Sequence, residues 1–236
     1  MTPVPFIDLK TQQARIRAQI DAGIERVLEH GSYVMGPEVH QVEKDLADFS
    51  TAKHVLSCAN GTDALQLALM AEGIGQGDYI LAPSFSFVAT GEVIPLVGAQ
   101  AIFVDIDEET FNICPEKLEI AIQDAQKNDL SIKAVISVDL FGRPTDYDRI
   151  SDICKRYDLV FISDAAQGFG GEYKGKKVGS LADYTTTSFF PAKPLGCYGD
   201  GGAVFTQDKD KAALLASIRN HGQGEGVIVL QMLFAN

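Results

Sequence analysis

One lysine in this chain stands in surroundings that would change its chemistry. Lys193 lies in Thr185-Thr186-Thr187-Ser188-Phe189-Phe190-Pro191-Ala192-Lys193-Pro194-Leu195-Gly196, among apolar, small and hydroxyl residues, and Gly199-Asp200-Gly201-Gly202 follows. A lysine that loses hydration favours its neutral amine, the form that condenses with a carbonyl to a Schiff base. Lone lysines are more often solvated surface groups, so this segment does not decide by itself.

Other segments supply complementary chemistry. Asp164 directly follows the apolar run Val160-Phe161-Ile162-Ser163. Partly buried there, its carboxylate needs a cationic or hydrogen-bonding partner. A protonated pyridine nitrogen is one such partner, and capping a helix is the competing use. Asn60-Gly61-Thr62-Asp63-Ala64-Leu65 is a small-residue turn opening a helix. The unpaired N–H groups of such a turn, with the helix dipole behind them, suit a phosphate, and Thr62 adds a hydroxyl. A plain helix start capped by Thr62 or Asp63 fits the same residues. No G-K-[ST] follows, and no G-x-G-x-x-G is present for a dinucleotide. In Pro83-Ser84-Phe85-Ser86-Phe87-Val88-Ala89-Thr90, two aromatics offer a flat face to a planar ring, or pack in the core. Pyridoxal phosphate requires all four: a lysine that holds it as an imine, an acid on its ring nitrogen, a stacking ring and a phosphate cradle.

The elements that must position these groups alternate between strand and helix. Short apolar runs predict buried strands at His54–Cys58, Tyr79–Ala82, Ala101–Val104, Ala134–Val138, Leu159–Ser163, Tyr184–Ser188 and Ala203–Thr206. A first helix is predicted over residues 8 to 30, with Ile16, Ile20, Ile24 and Val27 on one stripe and Gly31 as its stop. A second starts near Pro37 and aligns Val39, Val42, Leu46 and Phe49. Further helices follow Gly61-Thr62-Asp63 and start near Thr145. Strands separated by helices imply crossovers and a mainly parallel sheet covered on both faces. Ligands of such sheets bind outside the carboxyl ends of the strands, where the four segments fall.

Composition narrows the class. The 236 residues are 46% hydrophobic and 22% charged, an ordinary globular mixture. The net charge of -12 repels phosphate backbones and anionic headgroups, so neither nucleic acid nor a membrane surface is an expected partner. The cysteines Cys58, Cys114, Cys154 and Cys197 form no C-x-x-C pair, and no histidine stands beside them at ligand spacing, so no metal site is expected. No secretory signal or membrane-length apolar run is visible, and a cytoplasmic protein with reduced thiols is the expectation.

The ordered motifs G-T-D-A-L, P-S-F-S-F-V-A-T, V-D-L-F-G-R-P, S-D-A-A-Q-G-F-G and S-F-F-P-A-K-P-L-G-C-Y-G-D-G-G-A resemble the DegT/DnrJ/EryC1/StrS sugar aminotransferases. The similarity runs from about Phe6 to Gly224 and looks most like enzymes that aminate the 3-keto group of a UDP-linked 2-acetamido uronic acid. The resemblance implies a three-layer α/β domain of fold type I with a mainly parallel seven-stranded sheet and pyridoxal 5'-phosphate as cofactor. It implies ping-pong transamination of a nucleotide sugar by an amino acid such as glutamate, in a homodimer with shared active sites. Residue by residue, it makes Lys193 the imine lysine and proton shuttle, Asp164 the partner of the pyridine nitrogen, and Gln167 a neighbour of the ring hydroxyl. Phe87 takes the stacking position, and Gly61, Thr62, Asp63 and Ser188 the phosphate contacts. A subset of the family with histidine at the lysine position carries out dehydration, and Lys193 argues against it here.

The expected organisation is a cofactor-binding large domain over residues 1–225, with residues 1–50 as a helical N-terminal segment, followed by an apolar tail at 226–236. In the family, Arg219-Asn220-His221-Gly222 leads into a G-x-N-x-R-x-D-x-I-Q-A segment and a small C-terminal domain. Here Gly226-Val227-Ile228-Val229-Leu230-Gln231-Met232-Leu233-Phe234-Ala235-Asn236 stands instead, read as a truncated or frameshifted end that promotes self-association. The competing expectations are a catalytically incomplete fragment that binds cofactor or pairs with full-length subunits, and a Rossmann-type dehydrogenase, which the missing glycine motif disfavours.

Overall fold

The computed structural model describes residues 4 and 6–223, so the 226–236 tail lies outside the described residues. In chain order the strands are β1 (His54–Cys58), β2 (Asp78–Pro83), β3 (Gln100–Val104), β4 (Ser131–Val138), β5 (Val160–Asp164), the two-residue β6 (Glu172–Tyr173) and β7 (Lys176–Lys177), β8 (Tyr184–Ser188) and β9 (Gly202–Thr206). The seven apolar runs form one sheet in the order β1-β9-β8-β5-β4-β2-β3, and β6 and β7 make a separate hairpin. Strands β2, β3, β4, β5 and β8 pair in parallel, whereas β9 runs antiparallel to both β8 and β1. β1 therefore points the same way as the parallel set. The carboxyl ends of β1, β2, β5 and β8 consequently share one edge of the sheet, and each of the four chemical segments starts there.

Helices α1 (Leu9–His30), α2 (Pro37–Ser50), α3 (Gly61–Ala71), α4 (Val88–Leu96), α5 (Pro115–Lys127), α6 (Tyr147–Tyr157) and α7 (Lys209–Arg219) surround this sheet. Adjacent strand residues enter opposite cores. Ile80, Ile136 and Ile162 pack with Leu65 and Leu69 of α3 and Ile94 of α4, while Leu81, Val135 and Phe161 pack with Leu118 and Ile122 of α5 and Ile150 of α6. Burial on both faces explains why the strands read as continuous apolar runs rather than alternating ones. Each large side chain so buried stabilises the fold by roughly 1.5–3 kcal/mol.

The helix ends follow the sequence cues. Asp8 caps α1 by accepting from the Thr11 N–H, and Gly31 ends it in the left-handed region at φ 69° with its N–H on the Val27 carbonyl. Pro37 occupies the first turn of α2. The apolar stripe of α1 departs from expectation: none of the residues of that helix is buried, and Ile24 is 54% exposed. Periodicity marks a face able to bury and does not supply the partner that covers it. Among the described residues, no helix is long and apolar enough to cross a membrane, and no group of metal-ligating side chains forms.

Candidate active site

The β1 strand leads through Asn60 into α3. Asn60 Oδ1 accepts the Asp63 N–H at 2.8 Å and the Asn60 carbonyl accepts the Ala64 N–H at 3.1 Å. The cap is thus Asn60, not Thr62 or Asp63, because an extended residue one position before the helix can turn its side chain back on the first turn. The N–H groups of Gly61 and Thr62 are left as the donors of this helix end, whereas that of Asp63 is engaged. The backbone comes close here: a Cβ on Gly61 would lie 2.7 Å from Ser188 Cβ, and one on Gly202 would lie 2.3 Å from the Asn60 carbonyl oxygen. Glycine at both positions brings helix start, β8 end and β9 start together.

Asp164 ends β5 and is 6% exposed. Its Oδ1 accepts the Ala166 N–H at 3.1 Å and its Oδ2 accepts the Thr90 hydroxyl at 2.9 Å; Thr90 in turn shares a 2.9 Å contact with Ser86 Oγ. Burial pushes the Asp164 carboxyl above its ordinary range, opposed by these two hydrogen bonds and by the charge of Lys193. A turn rather than a helix follows Asp164, so the helix-cap alternative is not realised. Further along that turn, Gln167 Oε1 accepts the Phe141 N–H at 2.7 Å, which directs the amide nitrogen elsewhere.

Lys193 sits in the turn after β8, its N–H on the Phe190 carbonyl at 2.8 Å. Its Nζ lies 5.9 Å from the centroid of the Phe87 ring. Two expectations change here. Lys193 is half-buried rather than desolvated, because the turn carrying it runs along the surface with Ala192, Pro194 and Leu195 exposed. Phe85 and Phe87, 46% and 63% exposed, are not core residues: Phe87 is the N-cap of α4 and faces the cleft, while Phe85 meets Phe111 and Phe141 at ring-centroid distances of 6.1 and 6.3 Å.

Gly61, Thr62, Asp63, Phe87, Asp164, Gln167, Ser188 and Lys193 all line one cleft of about 880 Å³. Two observations test it against a phosphate-bearing aromatic cation. The α3 start presents the N–H groups of Gly61 and Thr62 to the cleft as donors, and Asp164 is a buried carboxylate with no salt-bridge partner among the described residues. Both fit.

Residues 14–230 match the model of the DegT/DnrJ/EryC1/StrS aminotransferase family. The chain belongs to this family. Over 220 residues it is 52% identical to the UDP-2-acetamido-2-deoxy-3-oxo-D-glucuronate aminotransferase of Pseudomonas aeruginosa, covering 93% of this chain and 60% of that protein. A DegT DnrJ EryC1 StrS aminotransferase from Brucella abortus superposes with a TM-score of 0.93 at 48% identity, covering 96% of this chain and 61% of that one. NtdA from Bacillus subtilis with bound cofactor PMP gives 0.87 at 33% identity, covering 97% and 50%. The chain thus spans about three-fifths of the length of the first two relatives.

Sequence reasoning missed two polar residues that support this cleft. Thr90 is fully buried with its hydroxyl on Asp164, and Asn60 caps α3. The signal for Asn60 was present, since asparagine before a glycine-led helix is a strong cap. Thr90 carried none, because its partner comes from a distant strand.

Proposed function

We propose that this chain binds pyridoxal 5'-phosphate and forms the cofactor-holding part of an aminotransferase acting on a nucleotide-linked keto sugar, with an amino acid such as glutamate as donor. The name of the P. aeruginosa relative makes a UDP-linked 3-keto uronic acid the first substrate to test, in bacterial surface-polysaccharide or amino-sugar biosynthesis. One observation carries the reading: Asp164, buried and bonded only to neutral donors, shares a cleft with Lys193, Phe87 and the first turn of α3.

When bound, the cofactor supplies a carbonyl that condenses with amines and a ring that withdraws electrons from the carbon losing its proton. The chain's own residues do the rest. Lys193 Nζ is the amine that holds the cofactor and the nitrogen that carries the proton. Asp164 keeps a proton on the ring nitrogen. The Gly61 and Thr62 N–H groups and the Thr62 and Ser188 hydroxyls bind phosphate, with Asp63 completing the first turn. Phe87 covers one ring face against water, and Gln167 turns its amide nitrogen to the ring hydroxyl.

The proposal includes a homodimer and a cytoplasmic location. The exposed aromatics Phe85, Phe111 and Phe141 near the cleft favour an interface, and four free cysteines favour a reducing compartment. Visible spectra of the chain with pyridoxal phosphate, before and after glutamate, test the proposal. A bound band that glutamate converts supports transamination, an unmoved band refutes transfer from glutamate while leaving cofactor binding, and no bound band refutes the whole reading.

A further inference from the structure

A second carboxylate lies directly behind Asp164. Asp139 follows β4 in the V-D-L-F-G-R-P motif and is fully buried. Its N–H donates to the Asp164 carbonyl at 3.0 Å. Its Oδ1 accepts the Thr145 N–H at 2.8 Å, and its Oδ2 lies 2.7 Å from the Tyr147 hydroxyl, itself 2.7 Å from Ser163 Oγ. Asp139 also abuts the turn that carries Gln167: a Cβ on Gly168 would stand 2.4 Å from Asp139 Cβ. Asp139 therefore holds the strand end that bears Asp164 through its main-chain N–H, and its side chain abuts the turn that bears Gln167.

No cation compensates this buried acid among the described residues. The ionisable groups facing it are Asp164 from β5 and Tyr147 from α6. Burial, with the charge of Asp164 added, pushes the Asp139 carboxyl up to about 7, against the hydrogen bonds from Thr145 and Tyr147. The hydroxyl chain accommodates either protonation state. With Asp139 charged, Tyr147 donates to Oδ2 and Ser163 to Tyr147; with Asp139 neutral, its own proton on Oδ2 goes to Tyr147, and Tyr147 donates to Ser163.

We propose that Asp139 is a positioning residue that works as a neutral acid, fixing the segments that carry Asp164 and Gln167 while leaving Asp164 the single negative charge of the pair. The role of Asp164 in this statement rests on the function proposed above. The protonation of Asp139 does not.

Infrared spectra of the full chain test the protonation. A protonated-carboxyl band should be present at pH 6, fade with a midpoint near 7, vanish in Asp139→Asn and persist in Asp164→Asn. Tyr147→Phe, which keeps the carboxylate and removes a donor to its charged form, should move that midpoint upward, and it decides the matter if Asp139→Asn does not fold. A band that survives Asp139→Asn, or a midpoint unmoved by Tyr147→Phe, overturns the proposal. Positioning is read from pyridoxal phosphate titrations at pH 6. Asp139→Asn, which imitates the neutral acid, should bind within about threefold of the original chain, and Asp139→Leu, which orphans the Thr145 and Tyr147 donors, about tenfold or more weaker. Equal losses in both variants overturn it. Should the unaltered chain bind no pyridoxal phosphate, the proposed function fails, and the infrared arm still judges Asp139.

Discussion

The Thr90 hydroxyl donates to Asp164 Oδ2 over 2.9 Å and so joins residues 74 positions apart, one on α4 and one at the end of β5. The bond favours the ionised carboxylate in a site where burial opposes it. A hydrogen bond to a charged group is worth about 1.5–3 kcal/mol. Thr90→Val keeps the shape and removes the donor, so affinity for pyridoxal phosphate should fall about 10- to 100-fold, with Thr90→Ser restoring most of it. Fluorescence titration of the three proteins is the measurement, and equal affinities would remove Thr90 from the site.

Borohydride reduction of the pyridoxal phosphate complex should place the pyridoxyl group on Lys193. Competing lysines are engaged on the surface, Lys174 with Asp148 and Lys177 with Glu172 at 2.8 Å. Peptide mapping that finds the adduct mainly on Lys174, Lys176 or Lys177 would refute the assignment.

Asp164→Asn should leave that adduct able to form while weakening cofactor binding by about 1.5–3 kcal/mol, the value of a charge-assisted hydrogen bond. The rate of amino-group transfer, measured in single turnover, should fall further, because the charge Asp164 supports grows in the transition state. Near-normal transfer by the variant contradicts the role.

Gly61→Ala forces a Cβ to within 2.7 Å of Ser188 Cβ. Overpacking of this kind costs about 1–3 kcal/mol, and here the strain falls on the helix start. The variant should unfold at lower denaturant and bind pyridoxal phosphate less tightly, whereas Gly199→Ala, with open space around it, should do neither. Urea titrations of both variants check the contrast.

Arg219 Nη1 bonds Glu43 Oε1 at 2.5 Å and the Ser57 carbonyl at 2.9 Å, and Glu43 accepts from both the N–H and the hydroxyl of Ser57 at 2.8 Å. Side chains only 17% and 14% exposed thus tie α7, α2 and β1 together. Glu43→Ala strands a largely buried guanidinium and should cost roughly 3–5 kcal/mol. A shift of the urea midpoint small enough to match an exposed pair would show that water replaces the carboxylate.

Much of this architecture was legible in the residues. The sheet strands were recognisable, since strands buried on both faces are mostly apolar, and the buried threonines of β8 are β-branched residues that favour strands. The chemical segments were legible for a related reason: a lysine, an aspartate and a glycine-led turn stand out against apolar runs. Helices α4, α5 and α7 carried weaker signals. Pro95 lies inside α4, and exposed polar and charged residues separate the apolar positions of α5.

The sequence by itself determined which residues would do chemistry, because side-chain type and the turn after each strand are local properties. It also determined the alternation of strand and helix that makes the sheet mainly parallel. Only the tertiary structure decided how those residues meet. Reversal of β9 alone leaves four carboxyl ends on one edge; Thr90 and Asp139 reach Asp164 only once β2, β4 and β5 are in order; and Lys193 is half-buried because its turn crosses the surface. Strand order and burial are sums over contacts between distant residues, and no short stretch of chain contains them.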